Sequence, residues 1–558
     1  MKSVKRRFAA ILACVFLIVS FGIFPAFAAE EEHVLFSAYL ATGEIMLGFA
    51  CAVDWLYDGL TQSQRDTIYK ILEEKALTVL VHHFEKPGES PFYNEYNWNS
   101  VCTSGALGVA IAFADEHPEV CEYIIENSLK YLELIPDSYT ADGGYAEGNM
   151  YWSLGTAHMI YAIDMLENAF RDDFVLDSKY NFGDMDCFKN TGDFPIYFNG
   201  GMGRFNYGDA TVGFNEPGAL YWLAERYNKP EYAAYRTRQQ KNATWGSPSH
   251  YTLHGLIAYN LAHESADANT LPLDKFFHAE GNGFNGISMR SSWENDTALY
   301  TAMQGGYNGI THAYLSLGTY VVDYRGERFV KQLGEYNYNV SGTKDTIYYK
   351  RAEGNNCLVM NPNAEKDQNR TSVPLVRSGA SNDTAFGILD MTSVNDGYAS
   401  AYRGLMLTDN RNRVLVQDEV TAKAPSEFYW FANTDANVKL STDGKSALLE
   451  LGGERMLARI VHGPADAKFS VMERDSVCDG VQNTVSSGAK LAIHMQNVTQ
   501  LELCVEYVGL KDGEGIPIPS TYVPMAQWSV SESGKTTVQL AGADDGDGKT
   551  GIQYVYLC

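Results

Sequence analysis

The spacing of apolar residues changes once along this chain, and that change limits the fold more than any other feature. From about residue 34 to 265 apolar side chains recur at helical spacing. Ile68, Ile71, Leu72, Ala76 and Val79 follow Thr61 and Gln64, a pair that can form a capping box by satisfying each other's open backbone N–H groups. Further helices are predicted from Ser100 through Leu107, Ile111 and Ala114, and over residues 119–134. Short Gly-rich connections, among them Asp142-Gly143-Gly144 and Gly200-Gly201-Met202-Gly203, make successive helices antiparallel hairpins of a bundle, solenoid or toroid. After about residue 275 the period becomes two. Residues 297–303 alternate, Tyr324-Arg325-Gly326 marks a turn, and Asp443-Gly444 interrupts 438–451 as a hairpin turn would. Helices followed by strands segregate into two domains.

At 558 residues the chain is too long for one small binding module. Residues 1–28 are set apart as a secretory signal peptide: Lys2, Lys5, Arg6 and Arg7 precede an apolar run that ends at Ala26-Phe27-Ala28. The helical domain is then 29–270 and the β domain 271–558. No other stretch matches the roughly 20 apolar residues of a membrane span, so an exported protein without a span is expected, released near Ala28. Losing those four basic residues from 43 leaves 39 against 69 acidic ones, a balance of about −30. Nucleic-acid binding is disfavoured. An anionic polysaccharide would be repelled at long range, so a site for one must supply its own positive or hydrogen-bonding groups. Eight cysteines follow the leader without a CxxC pair, and sequence leaves their pairing open. With 36 Tyr among 13% aromatics, the composition suits a surface that stacks on sugars, although Tyr-rich sheets share it.

Four stretches could carry chemistry. Asn97-Trp98-Asn99 puts amides beside an indole at a helix start, a pattern that a structural cap also explains. Residues 142–152 release Tyr145, Glu147, Asn149, Tyr151 and Trp152 from a Gly-rich loop; Glu147 and Tyr151, four apart, would share a helix face. The third stretch holds His312, after Gly305, Gly306 and Gly309, where an open backbone beside an imidazole suits a site. The fourth runs from Tyr348 through Lys350, Asn355 and Asn356 to Pro362.

Together with Met289-Arg290-Ser291-Ser292-Trp293, these stretches resemble the heparinase II/III-like polysaccharide lyases, a family that includes heparan sulfate and alginate lyases. The likeness extends from about residue 37 into the β region. It implies an α+β multidomain chain, an incomplete α/α toroid of helical hairpins followed by an antiparallel β-sandwich-like domain. It also implies β-elimination at a uronic acid, with loss of the C5 proton and departure of the 4-O-linked sugar. That proton is weakly acidic until the adjacent carboxylate is neutralised, so the site needs donors on that group and a base and acid at the ring. By position, Asn97 corresponds to the carboxylate-neutralising amide, Tyr151 to the phenol acting as base or leaving-group acid, and His312 to the partner imidazole. Trp98, Asn99, Tyr145, Glu147, Trp152, Arg204 and Asn206 are the expected substrate-binding residues, and Arg204 or Arg290 would lower the Tyr151 pKa if near it.

The departures from the family pattern matter too. Tyr314, Gln332 and Asn355 stand where zinc-containing relatives carry a second His, an Asp and a later His. A phenol and two amides are poor zinc ligands, so no metal and no organic cofactor are expected. The helical part is also short for a full toroid. Two other functions remain open: a glycoside hydrolase using Glu147 and Asp209 as its carboxyl pair, and a non-catalytic saccharide-binding protein.

Overall fold

In a computed structural model, the described residues are 39–86, 96–170, 178–213, 218–242, 266–334, 341–511 and 515–530, with a few isolated positions and two short strands near the C-terminus. The leader and Ala28 lie outside them. Two compact units form, one of residues 1–135 and 158–181, the other of 136–157 and 182–558.

The first unit is helical. Thr61 and Gln64 form the expected capping box at the start of Gln62–Leu72, and the next predicted helices occur as Asn97–Ala112 and Pro118–Leu132. Met46, Val53, Leu72, Leu80, Val109 and Ile124 meet in one core. The helix Tyr39–Leu56 lies against Asn97–Ala112 through glycine: a Cβ on Gly43 would come within 2.7 Å of the Val101 carbonyl oxygen. By length and composition alone, Leu40–Gly59 is apolar enough to cross a membrane, which the sequence reading had not anticipated.

The second unit opens with Pro136–Ala157, which contains the start of the helix Asn149–Ala169. Strands begin at Asp274–Phe277, where the apolar period changes. A five-stranded antiparallel sheet runs in order from Asp274–Phe277 through Gly286–Arg290, Leu299–Gln304 and Tyr320–Tyr324 to Glu327–Val330. The Arg325-Gly326 turn takes the two left-handed conformations (φ 50° and 85°) that a tight hairpin needs. A twelve-stranded sheet is built around two 22-residue strands, Arg413–Thr434 and Ala489–Leu510, paired from Arg413↔Val508 to Thr434↔Ala489. Asp443-Gly444 joins two of its strands, as predicted.

The two sheets share one core, in which Ile287, Met289, Met303, Val322 and Phe329 meet Leu405, Val416, Phe428, Trp430 and Ile493. Arg403 crosses this layer with a bidentate bond to Asp418 (2.7 and 2.9 Å) and bonds to the carbonyls of Gly318 and Asn356. Alternation in 297–303 predicts one solvent-facing side, yet every residue of Leu299–Gln304 is buried. The segment before the sheet covers that face, with the Tyr300 hydroxyl donating to the Tyr197 carbonyl at 3.0 Å.

Candidate active site

Three loops of the second unit converge, and buried polar bonds fix each of them. Residues 305–318 join two neighbouring strands of the five-stranded sheet and carry His312. Residues 199–209 form a small hairpin, Asn199–Gly200 with Gly203–Arg204, followed by Asp209. Arg328 pins this hairpin to the sheet: it grips Asp323 at 2.7 and 3.0 Å and donates to the carbonyls of Arg204 (2.7 Å) and Gly203 (3.1 Å). Arg290 lies 3.7 Å from the centre of the Trp293 ring and donates to the carbonyls of Tyr197 and Asn199.

The third loop, 142–149, carries Tyr145 and Glu147 and leads into the helix bearing Tyr151. Its anchors are the Asp142 carboxylate on the His278 N–H (2.7 Å), the Asn149 amide on the Phe198 carbonyl (3.2 Å) and the Trp152 indole on the Thr191 hydroxyl (2.7 Å). Gly148 takes φ +89°, a conformation glycine adopts without strain, just before the helix begins at Asn149. Glu147 therefore precedes the helix, and the shared helix face predicted for Glu147 and Tyr151 does not form.

At the centre the rings of Tyr151 and His312 stack, with centroids 3.6 Å apart and planes 13° apart. His312 Nδ1 lies 3.1 Å from Asp209 Oδ2, and the backbone joins the same two residues again through the Asp209 N–H and the His312 carbonyl at 2.9 Å. His312 holds φ +61°, a left-handed conformation that costs a non-glycine residue about 1 kcal/mol or more and persists only where its surroundings impose it. Gly208 permits the clamp: a Cβ there would stand 2.6 Å from the His312 carbonyl oxygen.

Glu147 Oε1 lies 3.9 Å from His312 Nε2 and accepts from the Thr311 hydroxyl at 3.0 Å, while Oε2 accepts from the Tyr145 phenol at 2.9 Å. Burial would raise the Asp209 pKa, but the hydrogen bond from His312 and the charge of Lys350, 3.8 Å away, outweigh it and hold the carboxyl below its usual range. Burial and the Asp209 charge push the Tyr314 phenol well up. The site thus combines an ionised carboxylate, an imidazole oriented through Nδ1, and a phenol stacked on that imidazole.

Other sequence-named residues serve the framework. Trp152 is fully buried on Thr191. Arg204 is buried and donates to the Thr211 carbonyl at 3.0 Å, and Asn206 is buried beside Arg328 at 3.4 Å. Asn97, Trp98 and Asn99 belong to the first unit. There Asn97 starts the helix Asn97–Ala112, Trp98 packs on the helical core, and the Asn99 amide donates to the Tyr131 carbonyl (2.7 Å) while accepting from Thr103 (2.8 Å). The lyase reading of the sequence missed the Asp209 clamp; the signal for it was Asn206-Tyr207-Gly208-Asp209, which had been weighed only for a hydrolase.

The positions that replace a zinc-ligand set do not offer one. Tyr314 is a high-pKa phenol packed with Leu333, Ile347, Tyr348 and Tyr349, the Asn355 amide donates to the carbonyls of Tyr349 and Arg351, and that of Gln332 donates to Thr319. No disulfide forms among the seven described cysteines.

The fold is one already seen in polysaccharide lyases. Its likeness covers 93% of this chain in each of three solved structures: a heparinase III gene product (TM-score 0.63, 13% identity, 73% of that chain), a second heparinase III (0.63, 14%, 75%) and the heparan sulfate lyase HepC from Pedobacter heparinus (0.57, 14%, 80%). The α+β architecture that the sequence resemblance implied, helices followed by a large antiparallel β domain, is therefore the heparinase-like one. No family model and no curated protein matches the sequence.

Proposed function

We propose that the protein is an exported lyase that cleaves a uronic-acid-containing polysaccharide by β-elimination, with no metal or organic cofactor. The observation that carries this reading is the Tyr151–His312 stack with Asp209 on Nδ1. An imidazole whose Nδ1–H is given to a carboxylate keeps its lone pair on Nε2. In the proposed step Nε2 takes the C5 proton, the C5 electron pair forms the C4=C5 double bond, and the C4–O bond breaks. Tyr151 gives its proton to the departing oxygen, and proton transfer from His312 restores the phenol. Neutral acids and bases of this kind suit a reaction at a carbon beside a carboxylate.

Asn97 keeps the carboxylate-neutralising part on the strength of the sequence resemblance, and its substitution by Ala tests that role. Export rests on the basic and apolar leader ending near Ala28. A hydrolase reading needs Glu147 as the acid partner of Asp209, and both Glu147 carboxylate oxygens already accept hydrogen bonds, from Thr311 and Tyr145. The test is ultraviolet absorbance of unsaturated uronate on incubation with heparan sulfate, heparin, hyaluronan, chondroitin sulfates, alginate and glucuronan. Reducing ends without that absorbance would favour hydrolysis. Binding with neither product would favour a saccharide-binding protein.

A further inference from the structure

In a chain with a net charge of −26, a site for an anionic polymer needs a local source of positive charge, and one stands beside the stacked pair. Lys350 approaches the His312 clamp from the short helical turn Tyr348–Lys350. Its ammonium, on a side chain 21% exposed, lies 3.8 Å from Asp209 Oδ1 and 5.6 Å from the Tyr314 ring centre. At 3.8 Å the Asp209 contact is too long for a hydrogen bond. The opposing Asp209 Oδ1 and the Tyr314 hydroxyl are both buried and interact with each other, the phenol helping to hold the carboxyl down while the carboxylate pushes the phenol up. Here a buried carboxylate oxygen and a buried phenol meet a partly exposed ammonium.

A second cation reinforces the first. The Lys344 ammonium donates to the carbonyls of Asn308 (3.1 Å) and Ile310 (2.7 Å), on the loop that presents His312. Carbonyls orient its charge without cancelling it. Arg370, by contrast, is already paired with Asp345 at 2.6 and 3.1 Å.

We infer that Lys350, supported by Lys344 and the Tyr314 hydroxyl, forms a subsite for an anionic oxygen group on the substrate, a uronate carboxylate or a sulfate ester. Lys350 is then a specificity-determining residue of the lyase, and the inference rests on that reading of the site. One ammonium reaching one anionic group provides a charge-assisted bond made to ground state and transition state alike, so its loss acts on KM more than on kcat.

The experiment compares the full chain with Lys350→Gln and Lys350→Arg on heparan sulfate, chemically desulfated heparan sulfate and glucuronan, following the ultraviolet product and measuring saccharide binding by calorimetry. Lys350→Gln is expected to raise KM about tenfold or more, with a smaller change in kcat, and to flatten the salt dependence of kcat/KM; Lys350→Arg should recover most of the loss. An effect that persists on desulfated polymer and glucuronan identifies the carboxylate as the bound group, and one confined to sulfated polymer identifies the sulfate. Unchanged KM and binding in Lys350→Gln, with an active wild type, would overturn the subsite and leave the lyase intact. If the wild type forms no unsaturated product, the lyase reading fails, and calorimetry alone decides the subsite: weaker binding in Lys350→Gln supports it, while equal or absent binding overturns it.

Discussion

His158 and His312 each meet a carboxylate, and their settings differ in burial, backbone and neighbours. In the first unit His158 is fully buried, with Nδ1 2.9 Å from the Ser104 hydroxyl and Nε2 3.1 Å from Glu44 Oε1. It sits within a regular helix, Asn149–Ala169, and ties neighbouring helices together. In the second unit His312 keeps 14% of its side chain exposed, occupies a left-handed backbone position in a glycine-rich loop, and stacks on a phenol. Its carboxylate partner holds Nδ1, whereas the carboxylate facing Nε2 is 3.9 Å away. A Ser–His–Glu chain in a closed helical core is a polar cross-link. An imidazole oriented through one nitrogen, on a strained and partly open loop, is the setting that the proposed proton transfer requires.

This contrast can be broken by mutation. The largest effect is expected from Tyr151→Phe, which removes only the phenolic proton: elimination should fall about 10²- to 10⁴-fold while saccharide binding, measured by calorimetry, is retained. Next comes Asp209→Asn, which keeps the shape but replaces the carboxylate that receives Nδ1–H. Loss of that charged hydrogen bond should lower kcat about ten- to hundredfold, with the far-ultraviolet spectrum unchanged.

His158→Ala supplies the opposite result. It leaves Ser104 and Glu44 without their imidazole, so thermal unfolding should show a loss of about 1–3 kcal/mol, while kcat of the folded fraction stays at the wild-type value. A large fall in kcat without destabilisation would erase the distinction between the two histidines. Glu147→Gln should have a smaller effect on turnover than Tyr151→Phe, since the amide oxygen can still accept from one of Tyr145 and Thr311 while the other loses its acceptor.

The smallest effect separates two buried carboxylates by pH. Asp209 is held below its usual pKa, so it adds stability that is present above the unfolded value and is lost as pH falls through the folded one. Asp367 is pushed up to about 6 by burial, despite the nearby Arg351. In the unfolded chain it ionises first, so its contribution weakens stability as pH rises from about 4 to about 6. Denaturant titrations across that interval should show a shallower fall with pH in Asp367→Asn than in wild type. An identical slope would contradict the assignment.

Local signals carried much of the fold into the sequence. The Thr61–Gln64 box, the Asp443-Gly444 hairpin and the change of period near 275 each rest on contacts between near neighbours, which is why they could be located there. The strand Leu299–Gln304 was harder, because its second buried face depends on Tyr197, a hundred residues earlier and without any local mark. The same holds at the site. Tyr151 and His312 came from the family resemblance, but the clamp on His312 joins residues 103 apart and depends on Gly208 admitting a carbonyl. Trp152, Arg204 and Asn206 looked functional because buried framework donors and ligand-facing donors are drawn from the same residue types. Only burial and bond partners tell them apart.

The central claim is that the Tyr151–His312–Asp209 arrangement performs elimination on a uronate polymer. The most direct measurement is the ultraviolet absorbance of the protein and its Tyr151→Phe variant against the same panel of uronate polysaccharides. The account predicts a rise on at least one polymer for the wild type and a flat trace for the variant under conditions where both bind. A Tyr151→Phe variant as active as wild type would contradict it, as would wild-type silence on every polymer.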